Sequence, residues 1–362
     1  MPLRSSLLAV LVAVVWGVNF VVIDLGLGDM PPTLFVALRF LVVLVPAIFL
    51  VPRPRARWRD VLLVGTFMSL GQFGLLYTAL ALGMPAGLAS LVLQAQVGLT
   101  VLFAAAALRE VPTRAQLLGV LVGAAGLVVV GVGRSASTPA LAFVVTLAAA
   151  ASWAVGNVVA RRAGRRDHGP TSRDQGSTSR DQGSTSRPGL DGLSMTVWSA
   201  LVVPVPMLGL SLALDGPDAV GHALTHLTLA PVLSTLYTAW LASLVGYGIW
   251  NTLLARYPAS AVVPFTMLVP PVGMLAAWVV LDEVPNAAEL AGGAVLLLGV
   301  ATTTGVLRRR PPRGELTPHA PDAEPGVVAP RAAESGDDPG FGEPRDDRAG
   351  SGSPGATRAR SR

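Results

Sequence analysis

The sequence predicts an all-α polytopic membrane protein of ten transmembrane helices, arranged as two inverted five-helix repeats. Three observations carry that expectation. First, 52% of the 362 residues are hydrophobic and only 14% are charged, where a soluble domain carries about 25% charge. A soluble chain of this size could not hide so much apolar surface. Second, ten apolar runs are long enough to cross a bilayer, and the arginines gather on one side of them. Third, short motifs recur at a nearly fixed offset between two parts of the apolar region.

The runs are taken in order. Residues 5–27 follow Arg4 and could pass for a signal peptide. Nine more spans follow and no convincing small-residue cleavage site ends the run, so it reads as an uncleaved first helix. Span two, 33–51, carries Arg39 about six residues in. Two readings stand for it: a structural Arg paired with Asp24 of span one, or a contact to an anionic substrate group. Span three is 61–82. Span four, 86–108, carries Gln94 and Gln96. Two residues apart on a helix is roughly 200°, so one amide would face a cavity and the other a neighbouring helix. Cavity lining and interhelical hydrogen bonding stand equal for this pair.

Span five, 115–133, carries Gly119, Gly123 and Gly126, and span ten, 287–307, carries Gly292, Gly293 and Gly299. Such small residues let helices approach closely, either these two or a pair across a homodimer. Span six, 139–160, holds Trp153 and Asn157, which echo Trp16 and Asn19 of span one. Both tryptophans lie mid-span, away from the usual interfacial belts, which favours a cavity role. Span seven is 192–214. Span eight, 228–250, closes with Gly246-Tyr247-Gly248 and Trp250, a flexible aromatic segment. Span nine, 259–281, is interrupted by Pro264, Pro270 and Pro271, and such breaks expose backbone carbonyls or simply kink a helix. The loop 161–191 contains a literal duplication of Thr-Ser-Arg-Asp-Gln-Gly-Ser. It and the tail 308–362 are polar, lack apolar periodicity and are expected to be disordered and cytoplasmic.

The loops set the direction. Arg4, the cluster Arg53 to Arg59, Arg109, Arg114, Arg161 to Arg166, Arg256 and Arg308 to Arg310 share one side, whereas Arg134 is the only loop Arg on the other. The positive-inside rule then puts both termini in the cytoplasm of a plasma or inner membrane. All 27 basic residues are Arg, and the net charge of +5 reads as cytoplasmic loops rather than nucleic-acid binding.

An offset of 173 carries Pro85-Ala86 to Pro258-Ala259, and Glu110-Val111-Pro112 to Glu283-Val284-Pro285. It also carries Gly119 to Gly292 and Gly126 to Gly299. The halves 1–134 and 135–307 each hold five spans, and five is odd, so they cross the membrane in opposite senses. Inverted repeats are typical of secondary transporters that rock around a midplane site.

Several classes are excluded. The chain has no cysteine, hence no thiolate metal site or cysteine nucleophile. No long apolar run contains one of the four histidines, so no membrane metal site is expected. No cofactor is expected either. Gly26-Leu27-Gly28-Asp29 resembles the intramembrane aspartyl protease motif, but only Asp24, on the same span, offers a second membrane acid. Strings for ATP binding or a serine nucleophile are absent. The chain reads as a non-enzyme.

A resemblance sharpens this. Trp16-Gly17-Val18-Asn19-Phe20, Met30-Pro31-Pro32 and Leu38-Arg39-Phe40 resemble the EamA family of the drug/metabolite transporter superfamily. The run Met84 to Gln96 and Gly246 to Trp250 look like the branch that includes the bacterial O-acetylserine/cysteine exporter. The likeness covers about residues 5–307. It implies a ten-helix inner-membrane exporter of small amino acids. The exporter it resembles carries a basic residue where this chain has Asp24, a departure that leaves no charge role implied at that position. The expected site is bounded by Trp16, Asn19, Gln94, Trp153, Asn157, Tyr247 and Trp250, with Arg39 and Gln96 as second choices. The alternatives are the same architecture moving another metabolite or drug, and a non-transporting membrane scaffold.

Overall fold

In lipid every backbone N–H and C=O must find a partner within the protein, which leaves helices as the way for these apolar runs to cross. The computed structural model describes residues 1–28, 30–134, 138–167 and 188–306. Among them, ten helices are long and apolar enough to span a membrane. They are α1 (Leu3–Leu27), α2 (Pro32–Leu50), α3 (Trp58–Ala81), α4 (Ala86–Leu108) and α5 (Arg114–Gly133), then α6 (Ala140–Ala163), α7 (Gly192–Leu214), α8 (Leu229–Arg256), α9 (Ser260–Leu281) and α10 (Ala287–Thr304). The protein is therefore an all-α, multi-pass membrane protein. Large side chains such as Phe49, Val132, Val205 and Val279 stand exposed on the outside, where acyl chains rather than water would cover them.

The boundaries depart from the sequence reading in a few places. Helical backbone runs on from α6 through Asp167 and resumes at Pro188. Both Asp167 and Pro188 fall within the segment 161–191 expected as a loop; its residues 168–187 lie outside the described residues, as does the tail 308–362. Ala and Arg are good helix formers, so the helix outlasts its apolar stretch. A short helix, Pro217–Thr225, which the hydropathy pattern does not announce, lies between α7 and α8. α8 itself extends to Arg256.

The repeat seen in the sequence returns in the backbone. Arg109 and Asp282, 173 apart, are the non-glycine residues with positive φ, 53° and 55°, among the described residues. Each ends the fourth helix of its half. Thr113 with Gln116 and Asn286 with Glu289 form capping boxes that open α5 and α10. The third helix of each half carries a π-helical stretch, Gly65–Gly71 in α3 and Tyr237–Val245 in α8. The fourth helix is interrupted in both: α4 at Leu93 and Gln94, α9 by a tight 3-10 segment at Val263–Leu268. Pro264 lies in that segment, and Pro270 and Pro271 open the helix after it.

Helix pairings follow the same exchange. α1 packs on α9 and on α8, and their repeat mates α6 on α4 and on α3. α2 meets α7, and α5 meets α10. The last contact uses the glycines: a Cβ on Gly126 would strike the backbone of Gly292 and Leu296, and one on Gly299 would strike Gly119 and Gly123. The contact is itself two-fold, and the glycine stripes are spent within the chain.

Candidate functional site

Between the halves lies a cavity of about 540 Å³. Trp16, Asn19, Arg39, Gln94, Gln96, Trp153, Asn157, Tyr247 and Trp250 all line it. The structure thus brings together the nine candidate residues, from α1, α2, α4, α6 and α8. The lining reaches Ala160 and Leu254, one turn or less before Arg161 and Arg256, so the cavity extends to the end of the bundle where those arginines sit.

Irregular backbone shapes this space. A π turn adds a residue to the hydrogen-bond ring and leaves carbonyls to be met by other groups. In α8 the carbonyl of Ala242 accepts the indole N–H of Trp16 at 3.0 Å. In α3 the carbonyl of Phe67 accepts the hydroxyl of Ser152 at 2.8 Å. The first helix of each half therefore satisfies the π segment of the other half's third helix. Gly246 follows the π segment and is helical; a Cβ there would meet the Trp16 indole nitrogen. The Trp16 ring then rests against Tyr247 and Trp250, with centroids 5.1 and 5.3 Å away.

The sequence expectation that Gln94 and Gln96 point to different surroundings is corrected. Both line the cavity. The 200° argument assumes a continuous helix, and α4 is broken at Leu93 and Gln94. Gln94 donates from Nε2 to the carbonyl of Thr266 at 3.3 Å, inside the 3-10 segment of α9. The two interrupted helices thus meet through this amide. Gln96 accepts from Asn157 Nδ2 at 3.1 Å, and the same nitrogen lies 3.2 Å from the Thr100 hydroxyl.

The suggested Arg39–Asp24 pair is also corrected. Arg39 is 2% exposed. It donates from Nη1 to the Tyr77 hydroxyl at 3.2 Å and from Nη2 to Ser243 Oγ at 3.1 Å. Its guanidinium carbon lies 4.0 Å from the centre of the Phe73 ring. The π turn presents Ser243, whose hydroxyl bonds back to the Thr238 carbonyl. The rotation of α2 aims Arg39 at α3 and α8, and the sequence offered no measure of that rotation. Among the described residues Arg39 makes no ion pair, whereas Arg161 pairs with Glu110 at 2.9 Å.

Sequence reasoning missed Gln72, Ser90, Asn251 and Thr266, which also line the cavity. Gln72 is a buried mid-span amide and obeys the same signal that found Gln94. Asn251 fell just past the expected end of span eight. Ser90 and Thr266 carry small hydroxyls that give no signal in a single sequence. Glu283 does not line this cavity; its carboxylate accepts the backbone N–H groups of Ala86 and Gly87 at 2.9 and 3.0 Å. It caps the positive end of α4.

Comparison with known proteins agrees with this architecture. Residues 3–132 and 184–305 match the model of the EamA-like transporter family. A Salmonella typhimurium protein named "Probable amino-acid metabolite efflux pump" is 41% identical over 302 residues, covering 83% of this chain and 94% of its own. An Escherichia coli protein of the same name is 38% identical over 312 residues, covering 86% and 98%. A Streptantibioticus cattleyicolor protein named "Probable terminal-alkyne amino-acid exporter" is 28% identical, covering 69% and 74%. A solved structure with 21% identity superposes with a TM-score of 0.53 over 85% of this chain and 99% of that one, and so shares the fold.

Proposed function

For a chain that belongs to the EamA-like transporter family, and so to a family of small-molecule efflux transporters rather than enzymes, we propose a specific cargo and route. The protein exports small neutral amino acids and derivatives of the O-acetylserine and cysteine type. It works by alternating access between the halves 1–134 and 135–307. The arginine-rich end faces the cytoplasm, together with both termini, by the positive-inside rule. The substrate contacts are Trp16, Asn19, Arg39, Gln94, Gln96, Trp153, Asn157, Tyr247 and Trp250.

One observation carries the reading: polar and aromatic side chains from both halves converge on a single cavity of about 540 Å³. That is the size class of a small-molecule site. The relatives named as amino-acid metabolite efflux pumps support an amino-acid cargo. The paired interruptions of α4 and α9, joined by Gln94 and Thr266, support movement of one half against the other at this level.

The test is export of radiolabelled O-acetylserine and cysteine from cells overproducing the protein, beside cells producing Gln94→Ala at equal abundance. Faster efflux than in empty-vector cells, lost in the variant, is the expected result. Efflux at the empty-vector rate with the protein inserted would remove these two cargoes, and a wider metabolite panel would take their place.

A further inference from the structure

A guanidinium is costly to bury in a membrane without an opposite charge. Arg39 is buried, lines the cavity, and has hydroxyls and rings for partners but no carboxylate among the described residues. Among the described residues it is also the only charged side chain on the cavity wall. Two of its five N–H donors are used, and Nε is buried with no partner. A second orphan lines the same cavity: Asn19 is 8% exposed, and its Oδ1 is buried and accepts nothing. Asn19 stands one helical turn from Trp16, whose ring meets Tyr247 and Trp250. An acceptor beside a cluster of aromatic faces suits an ammonium.

We propose that the cavity is polarised: Arg39 supplies the counter-charge for a free carboxylate of the cargo, and Asn19 with Trp16, Tyr247 and Trp250 seats its ammonium. This deepens the transporter reading above and rests on it. It narrows the cargo to zwitterions with an unblocked carboxylate. Amines, esters and amides of the same size are rejected, because they leave the guanidinium buried and unpaired. N-acylated amino acids are rejected as well, because an amide nitrogen presents no cation to Asn19 and the rings.

The experiment titrates the purified full-length chain in lipid nanodiscs and follows tryptophan fluorescence, since Trp16, Trp153 and Trp250 line the cavity. The probes are paired. O-acetylserine is compared with O-acetylethanolamine, which lacks only the carboxylate, and with N-acetylserine, which lacks the ammonium. The common amino acids are run in the same way against their decarboxylated amines. Every carboxylate-bearing ligand that binds is expected to beat its amine by roughly 10- to 100-fold, the range for a charge-assisted hydrogen bond. Arg39→Gln removes that preference and Arg39→Lys retains part of it. Asn19→Leu removes the preference for O-acetylserine over N-acetylserine.

If O-acetylserine fails to bind but other amino acids bind and beat their amines, the cargo reading falls and the polarised site stands. If ligands bind and amines match their parent acids, the polarised site is overturned while the cavity stands. A preference that survives in folded Arg39→Gln also overturns it, since Arg39 would then be structural. No amino acid of the panel binding at all overturns both.

Discussion

The indole N–H of Trp16 on α1 is bonded to the carbonyl of Ala242 on α8, 3.0 Å away and 226 residues along the chain. The bond joins the first half to the second at the cavity wall. It exists because the π stretch Tyr237–Val245 leaves its carbonyls for outside partners and because Gly246 gives the ring room. A sequence feature, a tryptophan and a glycine, thus becomes a packing constraint and then the geometry of a site.

Trp16→Phe keeps an aromatic face against Tyr247 and Trp250 but leaves the Ala242 carbonyl without its donor. The expected loss is about 1 kcal/mol of stability, the upper range for one interhelical bond in a membrane. Thermal unfolding in detergent reads the stability, and efflux is expected to fall further than stability does. Equal efflux in Trp16→Phe and wild type would separate this bond from function.

The glycine crossing makes a sharper stability prediction. Gly126→Val would push side-chain atoms into the backbone of Gly292 and Leu296, at a cost of about 1–3 kcal/mol or more. Gly209 has nothing within 4 Å of its would-be Cβ, so Gly209→Val is the matched control and is expected to cause no such loss. Fluorescence-detected gel filtration at graded temperatures compares the two.

Glu283→Ala removes both acceptors from the start of α4, leaving the N–H groups of Ala86 and Gly87 unmet. Hydrogen bonds to a charged group contribute about 1.5–3 kcal/mol, so a clear drop in melting temperature is expected. Glu283→Gln keeps one acceptor oxygen and is expected to fall between wild type and Ala. A melting temperature unchanged in both variants would contradict the capping role.

Gln96 and Asn157 face each other at 3.1 Å. A double-mutant cycle with Gln96→Ala and Asn157→Ala should show a coupling of about 0.6 kcal/mol, the membrane average for such pairs. Strict additivity of the two single changes would mean the amides do not act together.

Much of the architecture could be read from residues alone, for physical reasons. A run of apolar residues long enough to cross lipid has few other fates, so ten spans were legible. The offset of 173 was legible in Glu110 and Glu283, and it recurs in the φ angles of Arg109 and Asp282 and in the two capping boxes. Nine residues of the cavity wall were legible because polar and aromatic groups at depth are few. Their mutual geometry was not. The break at Leu93 and Gln94 turns two amides onto one cavity, and hydropathy carries no trace of it. The rotation of α2 decides whether Arg39 meets Asp24 or Tyr77, and apolar lipid-facing surfaces hide that rotation. Asn251 was missed because polarity at a helix end looks like the start of a loop.

The most direct test of the central claim is counterflow of radiolabelled O-acetylserine in proteoliposomes holding the purified chain. Wild type should accumulate label against unlabelled internal O-acetylserine, and Gln94→Ala, inserted at the same density, should not. Label uptake equal to protein-free liposomes, or uptake unaffected by Gln94→Ala, would contradict transport of this cargo through the cavity between the halves.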